Sequence, residues 1–208
     1  MTATALRFGP IDVVFDDTVL RPRLWTLAQS EWAAELAGAA TLLELGCGAG
    51  HIGLAAAALS GAPLVQVDIE PSACRWAELN AEANGLPQRV EQRCGTAEDV
   101  LFLDERFGVV IADPPYVPSS DVHLYPEDPL RAIDGGPDGL DSVRSFLAGI
   151  AGHVEPGGSV VLQVRGPEQV DQLRAWLDDP TAPPFQVTES RRYGALRALA
   201  RLENRRAG

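Results

Sequence analysis

The feature that most constrains this chain is the stretch from Thr41 to Leu59, TLLELGCGAGHIGLAAAAL. A short apolar run opens it and predicts a buried strand. An alanine-rich segment closes it and predicts a helix. Between them Gly46, Gly48 and Gly50 lack Cβ atoms, so a ligand can approach the backbone closely. The amides at the start of the helix favour a carboxylate or phosphate, so the stretch predicts an α/β fold with a nucleotide-type site.

A tight turn without any ligand is the alternative, because G-x-G-x-G is not the dinucleotide-binding pattern G-x-G-x-x-G. Two acidic residues favour a ligand. Glu44 stands just before the first glycine, where a strand normally stays apolar, and Asp68 ends a second apolar strand, Leu64–Asp68. A carboxylate about 20 residues beyond the glycine turn can accept hydrogen bonds from ribose hydroxyls. The chain lacks G-x-x-x-x-G-K-[ST], so a P-loop nucleotide hydrolase is not expected.

Strand and helix patterns alternate along the rest of the chain. Further strands are expected at residues 11–15, 89–93, 107–112 and 159–164, and helices at 24–36, 71–85, 140–154 and 168–177. Such alternation predicts a parallel sheet with helices on both faces. Residues 185–190 and 195–202 predict a closing antiparallel hairpin.

The length of 208 residues suits one domain with a full core, spanning residues 1–208. Within it, residues 1–40 are expected to form an N-terminal extension of strand and helix that packs on the rest, with residues 1–10 irregular. The segment Asp113–Gly139 contains six prolines and is longer than ordinary connections. Loops of this length in compact domains tend to be lids or binding loops.

The residues Asp113-Pro114-Pro115-Tyr116 follow the strand at 107–112, at the edge where open α/β sheets bind ligands. Two prolines fix φ and remove N–H donors, which leaves a stiff turn rich in acceptors. The Asp113 carboxylate and the Pro114 carbonyl can hold the two hydrogens of an NH₂ group, and Tyr116 can stack on a planar acceptor. We therefore expect Asp113, Pro114 and Tyr116 to be catalytic and Pro114, Pro115 and Tyr116 to bind the acceptor. The alternative is an ordinary proline-rich turn with an exposed aspartate.

Three motifs together resemble class I S-adenosylmethionine (SAM)-dependent methyltransferases: ELGCGAG, VDIEPSACRWAELNAEANG and IADPPYVP. The resemblance implies a Rossmann-like, doubly wound, mostly parallel sheet of seven strands with one antiparallel strand near its edge. It implies SAM as the cofactor, with the glycine turn around the methionine end and Asp68 on the ribose hydroxyls. The implied cofactor-binding residues are Arg23, Thr26, Glu44, Gly46, Cys47, Gly48, Gly50, Asp68, Ile69, Thr96, Ala97 and Asp113, of which Ile69, Thr96 and Ala97 would flank the adenine.

Within that class, [DN]-P-P-[YF] marks enzymes that methylate nitrogen, and two branches compete. Asparagine in the first position resembles the HemK-type enzymes, which methylate the glutamine amide of release factors, whereas aspartate is commoner in enzymes acting on amines of nucleic-acid bases. Residues 128–141, DPLRAIDGGPDGLD, closely resemble the HemK segment after this motif, and VLRPRLWT at 19–26 resembles the HemK segment VLIPRPxTE. Three positions depart from the HemK pattern: Asp113, Leu27 in place of glutamate, and Gln163 where that family usually has glutamate.

We weight the long downstream segment above the single Asp113 change and expect a HemK-like N-methyltransferase acting on a protein glutamine. A small-molecule amine acceptor, a nucleic-acid base and a non-catalytic scaffold on the same fold are the alternatives. Only about 20 residues precede the segment that resembles HemK, so the N-terminal helical domain that grips the release factor in bacterial HemK enzymes is not expected here. A partner subunit could take its place.

Composition narrows the possible partners and location. The formal net charge of −12 disfavours nucleic acid and anionic membranes as main partners. Cys47, Cys74 and Cys94 include no C-x-x-C pair, so they indicate reduced thiols in a cytoplasmic protein without a zinc site. The three histidines are scattered, so no metal site is expected. No signal peptide or apolar run of about 18 residues is present.

Overall fold

The computed structural model describes residues 3–205 of the chain. Its strands are β1 (Thr4–Phe8), β2 (Ile11–Phe15), β3 (Leu42–Leu45), β4 (Leu64–Asp68), β5 (Val90–Cys94), β6 (Phe107–Ala112), β7 (Val154–Val164), β8 (Phe185–Arg192) and β9 (Ala198–Asn204). Its helices are α1 (Leu27–Ala37), α2 (His51–Ser60), α3 (Pro71–Ala83), α4 (Ala97–Val100), α5 (Leu130–Ile133), α6 (Asp141–Ile150) and α7 (Pro167–Leu177). Short 3-10 helices lie at Leu24–Thr26 and Val122–Leu124.

Seven strands form one sheet in the order β5-β4-β3-β6-β7-β9-β8. Strands β3 to β7 pair in parallel, and β9 runs antiparallel to both of its neighbours. This confirms the doubly wound α/β sheet with a C-terminal antiparallel hairpin. The strand order reverses between β3 and β6, so the carboxyl ends of these two strands adjoin, which is where such sheets hold ligands.

The core lies on both faces of this sheet because successive side chains of a strand point to opposite sides. On one face, Leu42 and Ile111 pack with buried residues of α1, α2 and α3. On the other face, Leu43 and Val110 pack with buried residues of α6 and α7. The central strands are therefore buried along almost their whole length, and β6 is apolar throughout, as expected for strands covered on both sides.

The prediction that residues 1–10 are irregular is wrong for residues 4–8, which form β1 and pair with β2 in an antiparallel hairpin. Met1 and Thr2 lie outside the described residues. The amide of Asn80 on α3 pairs with both backbone groups of Val14, accepting from its N–H at 2.8 Å and donating to its carbonyl at 2.8 Å. A helix side chain thus supplies the contacts of a third strand, which a hairpin needs for stability.

Two other boundaries differ from the sequence prediction. Helix α6 ends at Ile150, and β7 begins at Val154 instead of residue 159. Val154 pairs with Phe107, and the register shifts before Val109, so β7 passes through an irregularity that contains Gly157 and Gly158. None of the helices found between residues 3 and 205 is long and apolar enough to cross a membrane.

Candidate methyl-transfer site

A cavity of about 550 Å³ opens at the carboxyl ends of β3, β4 and β6. Its volume lies within the range of small-molecule sites. The structure brings fourteen of the fifteen residues proposed from the sequence into its wall: Arg23, Thr26, Glu44, Gly46, Cys47, Gly48, Asp68, Ile69, Thr96, Ala97, Asp113, Pro114, Pro115 and Tyr116.

Gly50 is the exception and does not line the cavity. It precedes α2 with φ of 78°, and a Cβ there would lie 3.0 Å from the Cβ of Ala77. The absence of a side chain therefore lets α2 begin and lets α3 approach it closely.

The glycine turn and the end of β4 hold each other in place. Gly48 donates its N–H to Asp68 Oδ2 at 2.8 Å, and Glu70 donates its N–H to Asp68 Oδ1 at 2.9 Å. Gly46 and Cys47 donate to the carbonyl of Val67 at 2.8 and 3.2 Å. Burial raises the pKa of the Asp68 carboxyl above its usual range. The carboxylate is thus fixed in direction at the cavity wall, as a partner for vicinal hydroxyls must be.

Glu44 lies under the glycine turn and is 3% exposed. Gln66 donates from Nε2 to its Oε2 at 2.5 Å, and burial raises the pKa of Glu44 to about 8. A Cβ on Gly53 would overlap this same carboxyl oxygen, so only glycine lets the first turn of α2 pass so close. Glu44 therefore joins β3 to α2 as well as lining the cavity. The sequence analysis did not anticipate that Gln66 and Gly53 contact the Glu44 carboxyl group.

Asp113 follows β6 directly and lies half-buried in the cavity wall. No hydrogen bond from residues 3–205 reaches its carboxylate, in contrast to Glu44 and Asp68. Burial raises the pKa of Asp113 to about 7, while the positive charge of Arg23 acts in the opposite direction. The carboxylate is available to a ligand and changes charge near neutral pH.

Tyr116, at the end of the same turn, is held at both its side chain and its backbone. Gln163 on β7 donates from Nε2 to the Tyr116 hydroxyl at 2.9 Å. Gln169 on α7 donates from Nε2 to the Tyr116 carbonyl at 2.9 Å and to the carbonyl of Asp138 at 3.0 Å. Burial raises the pKa of the Tyr116 phenol above its usual value, so the hydroxyl stays protonated. The sequence carried no signal for Gln169.

The glycine-rich segment downstream packs directly on the turn at 113–116. A Cβ on Gly135 would lie 2.7 Å from the carbonyl oxygen of Pro115, and one on Gly139 would overlap the carbonyl oxygen of Tyr116. Val117 donates its N–H to Ile133 at 2.9 Å and accepts one from Gly135 at 2.8 Å. The segment that resembles HemK enzymes therefore supports the backbone of the proposed catalytic turn.

Two ion pairs tie the long loop over the cavity. Arg23, ahead of α1, pairs with Asp128, and Arg131 on α5 pairs with Glu70 at 2.5 Å. The segment predicted to be a long loop thus contains two short helices and is anchored on both sides of the cavity. Arg23 contacts the loop in addition to lining the site.

His51, the first residue of α2, also lines the cavity, although no sequence pattern pointed to it. Its ring meets Phe8 edge-on at 4.9 Å, and its Nε2 lies 3.4 Å from Thr26 Oγ1. Burial lowers the pKa of His51 to about 3, so the imidazole is neutral. No group of His, Cys, Asp and Glu within the described residues could hold a metal ion.

The wall suits a donor that carries positive charge. It presents the carboxyl groups of Asp68 and Asp113 and the exposed backbone of the glycine turn, and the buried Glu44 lies beneath them. Asp68 would hold the ribose hydroxyls of SAM, and the glycine turn would face its methionine end.

Known proteins resemble this chain in sequence and in fold. A family profile described as a methyltransferase domain matches residues 42–128. The release factor glutamine methyltransferase of Gloeobacter violaceus is 40% identical over 166 residues, which cover 77% of this chain and 54% of that protein. The enzyme of the same name from Geobacter sulfurreducens is 36% identical over 164 residues, covering 76% and 57%. The chain thus spans about half the length of these curated relatives.

Solved structures share the fold. A methyltransferase from Pyrococcus furiosus superposes with a TM-score of 0.69 at 17% identity, covering 93% of this chain and 89% of that one. A ribosomal protein methylase from Lactobacillus delbrueckii superposes with a TM-score of 0.64 at 19% identity, covering 89% and 82%. The matched profile and the fold that this chain shares with solved methyltransferases support a SAM-dependent methyltransferase domain. Within that class, the chain is similar to the release factor glutamine methyltransferases over about half of their length, and SAM is the methyl donor that the methyltransferase profile implies.

Proposed function

We propose that this protein transfers the methyl group of SAM to the side-chain amide nitrogen of a glutamine in a protein acceptor. The observation that carries this proposal is the turn at Asp113-Pro114-Pro115-Tyr116. It places an open carboxylate at the wall of the cavity and is held there by Gln163 and Gln169.

A planar amide needs help to react, because its nitrogen lone pair is conjugated with the carbonyl. Asp113 and the carbonyl of Pro114 would each accept one N–H hydrogen and hold the nitrogen in line for attack. SAM supplies a methyl group on a positively charged sulfur, and transfer forms a nitrogen–carbon bond while the sulfur keeps the electrons of the broken carbon–sulfur bond. Asp113, with its pKa raised to about 7, would accept the proton that the nitrogen then loses. Most of the rate enhancement would come from positioning.

The choice of a protein glutamine rests on similarity to the release factor glutamine methyltransferases and on the packing of residues 134–139 against the catalytic turn. Because the chain spans about half of those relatives, the identity of the acceptor is part of the proposal. So is a partner subunit that would help to grip the acceptor. The net charge of −12 weighs against nucleic acid as the main acceptor.

Methyl transfer from isotopically labelled SAM tests the proposal. Purified release factor, total cell protein, bulk RNA and bulk DNA serve as acceptors, and mass spectrometry locates the methyl group. We expect label on a glutamine of a protein, and loss of about a thousandfold or more in turnover for Asp113→Ala with SAM binding largely kept.

Other results would redirect or remove the proposal. Label on RNA or DNA that depends on Asp113 and falls steeply with salt would favour a base-methylating enzyme. Label on a small molecule would indicate a biosynthetic enzyme. Methylation of oxygen or carbon would overturn the mechanism, and absence of SAM binding at millimolar concentration would leave a non-catalytic scaffold.

A further inference from the structure

We propose that Asp113 and Gln163 form a functional pair in which one of the two residues must carry a carboxylate. In this chain Asp113 carries it, and Gln163 acts as a positioning residue. Strands β6 and β7 are paired in parallel up to Ala112 and Leu162. Asp113 and Gln163 are the next residues on these neighbouring strands, and both line the cavity. Residues in this relation lie side by side and point to the same face of a sheet.

Tyr116 connects the two positions. Its hydroxyl accepts the hydrogen bond of Gln163 at 2.9 Å, and Asp113 lies close enough to raise the pKa of the phenol through its charge, although burial is the larger cause. Gln163 is 1% exposed, and its Oε1 has no hydrogen-bond partner within residues 3–205. At these two neighbouring positions the cavity wall holds one carboxylate and one carboxamide, and the Tyr116 hydroxyl is bonded to the carboxamide. Two of the three departures from the HemK pattern fall on this pair.

The charge of the pair matters because the donor and its product differ in charge. SAM carries a positive sulfur, whereas demethylated S-adenosylhomocysteine has a neutral sulfur. One carboxylate close to that sulfur favours the donor over the product. A pair of carboxamides would weaken this preference, because the other carboxyl groups of the wall, Glu44 and Asp68, are already held by Gln66 and by the amides of Gly48 and Glu70. Discrimination between SAM and S-adenosylhomocysteine therefore requires one carboxylate in the pair. Either position 113 or position 163 can supply it.

Binding measurements test this inference without any acceptor. Calorimetry on the whole chain gives the dissociation constants of SAM and of S-adenosylhomocysteine, and their ratio measures discrimination. We expect Asp113→Asn to reduce this ratio about fivefold, which corresponds to about 1 kcal/mol. Adding Gln163→Glu to that variant restores the carboxylate, so the ratio should return to within about twofold of its original value.

The matched control is Asp113→Asn combined with Gln163→Leu, which fills the same place without a charge and should not restore the ratio. A double variant with Gln163→Asp, whose shorter carboxylate needs less room, tests the same exchange if the glutamate variant does not fold by circular dichroism. Failure of both folded carboxylate variants to restore discrimination would overturn the inference, as would equal recovery with leucine.

These outcomes separate this inference from the proposed function on which its setting rests. If the wild type binds SAM normally but the carboxylate variants do not restore discrimination, the proposed pair is refuted. The glutamine methyltransferase proposal is then unaffected. Successful rescue in a protein that methylates a different acceptor would remove the proposed acceptor and leave the pair. A wild-type chain that binds neither ligand would remove both.

Discussion

Gly139 packs directly against the carbonyl of Tyr116, so closely that a Cβ at position 139 would overlap that oxygen and Gln169 Nε2. Its φ of 76° also lies where residues with side chains are strained. Gly139, near the end of the segment that resembles HemK enzymes, therefore supports the turn at residues 113–116 that is proposed to be catalytic.

Gly139→Ala should displace this turn. We expect a loss of about 1–3 kcal/mol in the free energy of unfolding and a larger proportional loss of turnover, because Tyr116 and Asp113 move together. Urea denaturation and methyl-transfer assays measure the two effects. Gly152→Ala is the matched control, since its φ is ordinary and nothing lies within 4 Å of its Cβ position. Equal effects of the two substitutions would contradict this role of Gly139.

Asp68→Ala should weaken SAM binding by about a hundredfold. The substitution removes the acceptor for the ribose hydroxyls and also leaves the amides of Gly48 and Glu70 without their partner. Calorimetry with SAM measures the change. Asp16→Ala is a suitable control because that carboxylate accepts bonds from Thr18 and Trp76 and does not line the cavity. Unchanged affinity in Asp68→Ala would refute the assignment of the ribose site.

Turnover should rise with pH around neutrality. Burial raises the pKa of Asp113 to about 7, so the carboxyl is protonated below this pH and ionised above it. Only the ionised form can take up the proton that the nitrogen loses. We expect turnover at saturating SAM to increase about tenfold per pH unit below pH 7 and to level off above it. Asp113→Asn cannot ionise, so whatever activity it keeps should lack this rise. A rise that persists in Asp113→Asn would assign it to another group.

Burial of Glu44 should make the folded state less stable as pH rises, whereas turnover should increase with pH. Its folded pKa of about 8 lies above the ordinary value of 4.5, so the folded state holds a proton that the unfolded state releases between these values. The contribution of Glu44 to stability should therefore be full below about pH 4.5 and fall as pH rises towards 8. The difference in unfolding free energy between the wild type and Glu44→Gln, followed from pH 5 to pH 8, measures this effect. A pH-independent difference would contradict the raised pKa.

Asn80 should stabilise the protein more than its neighbour Asn84. Both amides pair with β2, but Asn80 is 1% exposed and also donates to the carbonyl of Ala49 in the glycine turn at 2.9 Å. Asn80→Ala leaves these buried groups unpaired and should cost about 2–4 kcal/mol, while Asn84→Ala should cost less than about 1 kcal/mol because water replaces the amide. Because Ala49 belongs to the glycine turn, Asn80→Ala should also weaken SAM binding. Equal losses in both variants would contradict this account.

Much of the architecture was determined by local sequence. The apolar run, glycine turn and alanine-rich segment at residues 41–59 follow from the spacing of a few residue types, and β4 and β6 have the predicted bounds. The motif at 113–116 could be placed at the carboxyl edge of the sheet because it directly follows a fully apolar strand. These predictions rest on interactions between residues that are close together in the sequence. Such local patterns can be recognised from the sequence alone.

Contacts between residues far apart in sequence were decided only by the tertiary structure. The strand at residues 4–8 belongs to a hairpin that packs on the core and is joined to α3 by Asn80, 66 positions beyond Val14. Gln169 holds Tyr116 across 53 positions, and Gly50 packs against α3 instead of facing the cavity. The sequence around each of these residues is ordinary. The roles of Asn80 and Gln169 arise when the fold buries polar atoms, which must then find partners among residues distant in sequence.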